Sequence, residues 1–578
     1  MKLWAWLLIP AMLTAQPRPV QRGRTGARPG ATAVEAEALK PEELCGLAGQ
    51  VLNAATGEPL RKANLTLRRT EGRFDPGGST STDASGHFAM KGLEPGKYRL
   101  SVERNGFVRQ EWGALRPGRS GATLTLDKGQ HLRNIAFRLI PHAVIAGRVV
   151  DEEGEPLAGV LVRTMRFAFV QGRRQLMPGG SGAATNDLGE FRIFGLPPGK
   201  YYLSAEYRST YMMMGAVDRS ANDSQPEESY AAVYYPGTTD PAAAVQTDVP
   251  AGAVLRGLDL TLRKVPTVRV RGRVMNNVGA ELRRSSLMLV PRGSGAFGPM
   301  SRNMAPLRDP RGTFEFRGVT PGSYLLMLDV YEENRRYTAR TPVEVGSANV
   351  EGVVLVLSPG TELQGRLRVD GDAEADLGEV NVQLRTREFS PMGGFYTDRI
   401  QKDGSFTIRG VVPDTYVLGV YGLTGTWFLK SVRFGDEELR DASLRITEGA
   451  SGTLEVIISP AGGQVEGLVV TAKQEAARAA TVVLLPDSSR RNQTHLFKTV
   501  TTDQNGRFTL TGIAPGDYSL LAFEDLEPGA WQDADYLKQF ERSAESLSIR
   551  ENGHETRQLK LIPAEDAPPQ QDRGETVR

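Results

Sequence analysis

Asp83-Ala84-Ser85-Gly86-His87-Phe88, followed by Gly92-Leu93-Glu94-Pro95-Gly96-Lys97-Tyr98, decides how the whole chain is read, because the pattern returns four more times. The second copy has Asn186, Gly189, Phe191 and Gly195 to Tyr201. The third has Asp309, Gly312, Phe314 and Gly318 to Tyr324. The fourth has Gln401, Gly404, Phe406 and Gly410 to Tyr416, and the fifth has Asp503, Gly506, Phe508 and Gly512 to Tyr518. Phe and Tyr stand ten residues apart in all five. A repeat of this kind sets the domain organisation before any local propensity does.

Each position has a physical task. Asp or Asn with Gly three residues on suits a tight turn, the side chain accepting from nearby backbone and Gly taking positive φ. Phe then points inward. Pro-Gly fits the central pair of a type II turn. Tyr opens the next strand with its ring packed and its hydroxyl within reach of backbone. Pro413-Asp414 is a poorer fit to that turn, so the fourth unit is expected to be the least regular. About 50 residues before each Tyr lies a matching strand, opening at Gly49, Gly147, Gly272, Gly365 and Gly467. Alternating closing strands follow at 135–139, 258–262, 353–357, 454–458 and 559–562. Gly and Pro, 64 and 35 of 578 residues, are thus mostly punctuation between short strands. The expected class is all-β, a tandem array of five sandwiches in a monomeric rod of beads with short linkers. The units run 44–140, 141–264 with an insertion from about 207 to 244, 265–359, 360–460 and 461–563, with a disordered tail at 564–578.

The G-R-V-V strand, D-x-x-G-x-F and G-L-x-P-G-x-Y together resemble the carboxypeptidase regulatory-like domain, as do Pro156 to Val160 and Gly57 to Leu60. The resemblance implies a prealbumin-like seven-stranded sandwich, akin to collagen-adhesin B-type domains and found in bacterial cell-envelope proteins. It also implies scaffolding, adhesion or carbohydrate binding rather than catalysis. The isopeptide cross-link of some adhesins is not expected, because no Lys follows the opening-strand glycines.

Residues 1–15 read as a secretory signal, with Lys2, an apolar stretch from Leu3 to Leu13 and cleavage after Ala15. Residues 16–43 read as a flexible linker. No later run approaches membrane-helix length, so the expected location is exported: periplasm, cell surface or medium. The charge balance of 70 basic against 68 acidic side chains supplies no field for nucleic acid. Cys45 stands alone, which excludes an internal disulfide and Cys-based zinc.

No catalytic, metal or cofactor residues are expected. The five histidines, His87, His131, His142, His495 and His554, form no H-E-x-x-H, and no G-x-S-x-G elbow occurs. Gly293, Gly295 and Gly298 match a dinucleotide pattern, but Pro299 and a loop follow instead of a helix. Asp370, Asp372, Glu374 and Asp376 could suit calcium. Ala375 and Asn381 break the helix-loop pattern, and the segment reads as a solvated acidic loop. The candidate ligand-binding residues are Tyr207, Tyr211, Tyr230, Tyr234, Tyr235, Trp427 and Trp531, with polysaccharide or envelope proteins as partners. The competing reading is that these rings complete the cores of their own units. Tyr536, Leu537 and Phe540 are spaced for a short helix lying on the last sandwich.

Overall fold

The computed structural model describes residues 40–564 except 71–76, 171, 208–226, 283–284, 293–302, 308, 310, 333–334, 376, 388–394, 448–449 and 451. The signal, the linker, most of the tail and the Gly293–Gly298 motif lie outside the described residues.

The first unit shows the common plan. Its opening strand Cys45–Asn53 lies between the Phe strand His87–Leu93, antiparallel, and the closing strand His131–Leu139, parallel. The facing sheet has the order Gly78–Ser81, Asn64–Arg69, the Tyr strand Gly96–Glu103, then Leu124–Leu126, with Gln110–Glu111 as a short addition. Leu47, Val51, Leu65, Leu67, Leu100 and Phe137 fill the space between the sheets. Opening strands 143–150, 264–276, 361–369 and 463–470 keep the same two neighbours in the other units. The fourth unit adds Phe428–Phe434 beside its closing strand. In the third and fifth, a short pairing joins the two sheets, as at Tyr337 with Pro359 and at Phe523 with Ile562.

The repeated glycine of the opening strand is a packing requirement. Gly49, Gly147, Gly272, Gly365 and Gly467 stand directly opposite Phe88, Phe191, Phe314, Phe406 and Phe508 across the antiparallel ladder. In the last four, a Cβ would strike the ring of that Phe, and in all but the fourth it would also overlap a closing-strand carbonyl. The missing side chain is the room that the ring occupies.

The Asp–Gly turns match expectation: Asp83 Oδ1 accepts from the amides of Ser85 and His87 at 2.9 and 2.8 Å, and Gly86 takes φ +73°. In the fourth unit Gln401 supplies no such cap, and Asp403 accepts from the Ser405 amide instead. The Pro-Gly expectation is corrected. A type II turn needs φ near +80° at its Gly, whereas Gly96, Gly199, Gly322 and Gly516 lie at +140° to +157° and begin the Tyr strand. The left-handed residue is the earlier glycine, at φ +72° for Gly92 and +69° for Gly410. Asp414 therefore opens its strand with no turn to spoil, pairing with Ile446 as regularly as its counterparts do.

The rod of beads is also corrected: the chain folds back so that the fifth unit touches the first, second and fourth. Thr123 forms a parallel bridge with Asp503, and the Gln504 side chain accepts from the Thr125 amide at 3.0 Å and donates to its carbonyl at 2.8 Å. Asp525, whose side chain is 9 % exposed, binds Arg116 and Arg119 at 2.8 Å each. Phe169 of the second unit packs into the apolar cluster around Leu537 and Phe540 and lies 5.9 Å from the Tyr536 ring. Gly462 of the fifth unit donates to Thr426 of the fourth. Such polar contacts between surface turns leave no period in the sequence, which is why local patterning suggested independent beads.

Candidate functional site

The insertion of the second unit supplies the tyrosines read as ligand-binding, and the structure turns the described ones toward that unit's own core. The Tyr strand Gly199–Tyr207 pairs with Val233–Tyr234. Tyr234 is 3 % exposed, and burial, with the Glu206 charge adding to it, pushes its hydroxyl up to about 12. It therefore offers no ring face to a ligand. Tyr207 and Tyr230 meet edge to face at 5.1 Å and, with Tyr235, pack against the same core. Tyr211 lies outside the described residues. Trp427 packs on the core of the fourth unit and Trp531 on the cluster around Leu537. The described residues fall in three units: Tyr207, Tyr230, Tyr234 and Tyr235 in the second, Trp427 in the fourth and Trp531 in the fifth. The six described ones lean on apolar clusters of their units.

The remaining chemistry-bearing residues are scattered. His87 is exposed, His554 meets Glu466 at 3.1 Å, and burial lowers His142. Asp370 turns to Lys430, whose hydrogen bond holds its carboxyl below the usual range. Among the described residues no group of three or more His, Cys, Asp or Glu is arranged to hold a metal ion. Likewise, no described helix is long and apolar enough to cross a membrane.

One concave site escaped the sequence reading. Where the first unit hands over to the second, Val108 donates to Ile140 and His142 to Gly106, which fixes a cleft of ≈ 1060 Å³ between the two sandwiches. Arg61, Lys62, Arg104 and Arg109 line it from the first unit and Arg192 from the second, with Glu103 as its one carboxylate. The Arg104 guanidinium lies 5.2 Å from the Phe107 ring, and that of Arg192 lies 6.0 Å from Phe194. The two arginine–aromatic pairs thus come from different units and share one cleft. A sequence signal for them would have been Phe194, an apolar residue at an outward position of the strand Glu190–Leu196.

Residues 46–139 match the family model of the carboxypeptidase regulatory-like domain. No curated protein matches the chain. Among solved structures, the TIE protein of Bacillus anthracis is 10 % identical over 73 % of this chain and 74 % of its own, with a TM-score of 0.15. Two B-repeat units of the collagen-binding protein of Staphylococcus aureus are 11 % identical over 72 % of this chain and 100 % of theirs, with a TM-score of 0.13. A minor pilin of Streptococcus agalactiae is 15 % identical over 38 % of this chain and 97 % of its own, with a TM-score of 0.22. Scores at this level carry no argument, and the fold rests on the strand pairing described above. The first unit thus matches the carboxypeptidase regulatory-like domain, and the other four units repeat its motif and strand order.

Proposed function

We propose that the chain is a non-catalytic scaffold or adhesion protein of the bacterial cell envelope, exported and working as a single copy. The observation that supports it is where the recurring residues are engaged. In four units the turn Asp or Asn caps backbone amides, the five Phe rings lie in the cores, and each motif Tyr donates to the carbonyl four residues earlier. What the chain repeats five times is architecture. The back-folded arrangement supports a compact spacer more than an extended stalk.

Separating source cells into medium, surface, periplasmic and cytoplasmic fractions and probing each with an antibody raised against residues 40–564 tests the location. Surface or periplasmic signal is expected, and signal confined to the cytoplasm overturns the reading. A broad peptidase and glycosidase screen on the purified chain is expected to stay at background. Turnover that survives repurification would overturn the non-catalytic assignment.

A further inference from the structure

We infer that the cleft between the first and second units binds an acidic oligosaccharide, a short sugar chain bearing carboxylates. The charge there is local. Five cations face one carboxylate in the cleft, while the whole chain carries 70 basic and 68 acidic side chains. None of the five makes an ion pair among the described residues; Arg109 donates to the Ser101 hydroxyl, and Arg104 and Arg192 lie over aromatic rings. Uncompensated like charges gathered in a concavity repel one another and are relieved by an anion. Arginine forks suit carboxylates, which they bind through paired hydrogen bonds.

The rings narrow the class. Phe194 is 68 % exposed, an unusual place for a large apolar side chain on a strand whose other outward residues are polar. Its ring can pack on the apolar face of a sugar while the guanidiniums take the carboxylates; Phe107 is half-buried against the first unit's core and backs the Arg104 guanidinium. A nucleic-acid strand needs a basic track that follows many phosphates. Here five cations gather at one junction of a chain whose total charge is near balance. This cleft lies apart from the tyrosines and tryptophans discussed above, and its occupancy does not depend on the scaffold reading.

The test is calorimetric titration of the full chain with a galacturonic acid tetramer, at low and at physiological salt. Binding that weakens with salt is expected. The R61S/R104S/R192S variant should lose at least about tenfold in affinity, because each substitution removes a charge-assisted contact. F194A should lose several-fold, and both variants should melt close to the wild type, since Arg61, Arg192 and Phe194 are exposed and Arg104 is only half-buried. The control R133S/R138S/K560S, which removes exposed cations elsewhere, should bind unchanged. No wild-type binding, or an equal loss in the control, overturns the site. Binding of a single-stranded oligonucleotide of equal charge as tightly as the tetramer overturns the assignment to sugar.

Discussion

A phenol hydroxyl that leaves water on folding must find an acceptor, and this chain solves the problem identically five times. Tyr98, Tyr201, Tyr324, Tyr416 and Tyr518 donate to the carbonyls of Glu94, Pro197, Thr320, Val412 and Ala514, all at 2.7–2.8 Å. The bond ties the approach to the Tyr strand back onto the ring that anchors it. Tyr416 is fully buried, so Tyr416→Phe leaves the Val412 carbonyl without this partner, at a cost of about 1–2 kcal/mol. Amide exchange across residues 405–421 should quicken by roughly 5- to 30-fold. Tyr421→Phe, at a side chain 48 % exposed, should leave it unchanged. A second residue-scale effect is at His495, whose imidazole is pushed down to about 4 by burial, with Lys498 adding to the shift and Asp441 of the fourth unit opposing it. An unfolded histidine binds a proton near pH 6.5 that the folded one refuses until about pH 4. The unfolded state therefore gains protons first as pH falls, and stability drops across that window, by on the order of a few kcal/mol. The melting temperature of His495→Gln should fall less steeply than that of the wild type from about pH 7 to about pH 5. Parallel curves would remove His495 as a source of acid sensitivity.

At the scale of the element, the pairing of opening-strand glycine with motif phenylalanine explains a spacing that the sequence shows only as two separate regularities. Gly467 and Phe508 stand 41 residues apart in the chain and directly opposite across the ladder. A Cβ at Gly467 would overlap the Arg557 carbonyl and come within 2.9 Å of the Phe508 ring. Backbone cannot swing aside, so Gly467→Ala should destabilise the fifth unit by about 1–3 kcal/mol. Its first thermal transition should then move down, with loss of the strands 463–470 and 554–562. An unshifted melt would mean that the closing strand yields without penalty. Strand period, turn residues and the buried Phe and Tyr were legible because they are local: Leu537 and Phe540 were read correctly as facing the last sandwich and lie buried there. The Pro-Gly turn was misread because Gly serves either at φ near +80° or near +150°, and composition does not separate the two. Nothing local announced that Tyr536, beside those helix residues, meets Phe169 of the second unit. The cleft was equally hidden, since Arg61, Arg104 and Arg192 converge only through the hand-over between two sandwiches.

At the scale of the whole molecule, back-folding gives the first unit a protected edge. Leu124–Leu126 pairs with the Tyr strand on one side, and a bare strand edge invites pairing with other chains. The turn at Asp503 and Gln504 covers the other side: Thr123 bridges Asp503, and the Gln504 amide group satisfies both the N–H and the C=O of Thr125. A side chain here takes the place of a neighbouring strand. Beside it, Asp525 receives Arg116 and Arg119, and Arg99 donates to the Thr501 hydroxyl at 2.8 Å. Asp525 is far less exposed than either arginine, so its removal deprives two guanidiniums of their shared acceptor and should cost roughly 1–3 kcal/mol of the contact. The double variant Asp525→Ala, Gln504→Ala removes the charged and the strand-mimicking anchors together. The first and fifth units should then part, raising the radius of gyration in solution scattering while each sandwich keeps its own melting transition. High salt should push the wild type the same way, to a smaller degree, because it screens the Asp525 pairs and leaves the Gln504 bonds intact. A double variant that scatters as compactly as the wild type would show that the contacts left in it, the Thr123–Asp503 bridge, the Arg99–Thr501 bond and the Phe169–Tyr536 packing, suffice to hold the fold-back.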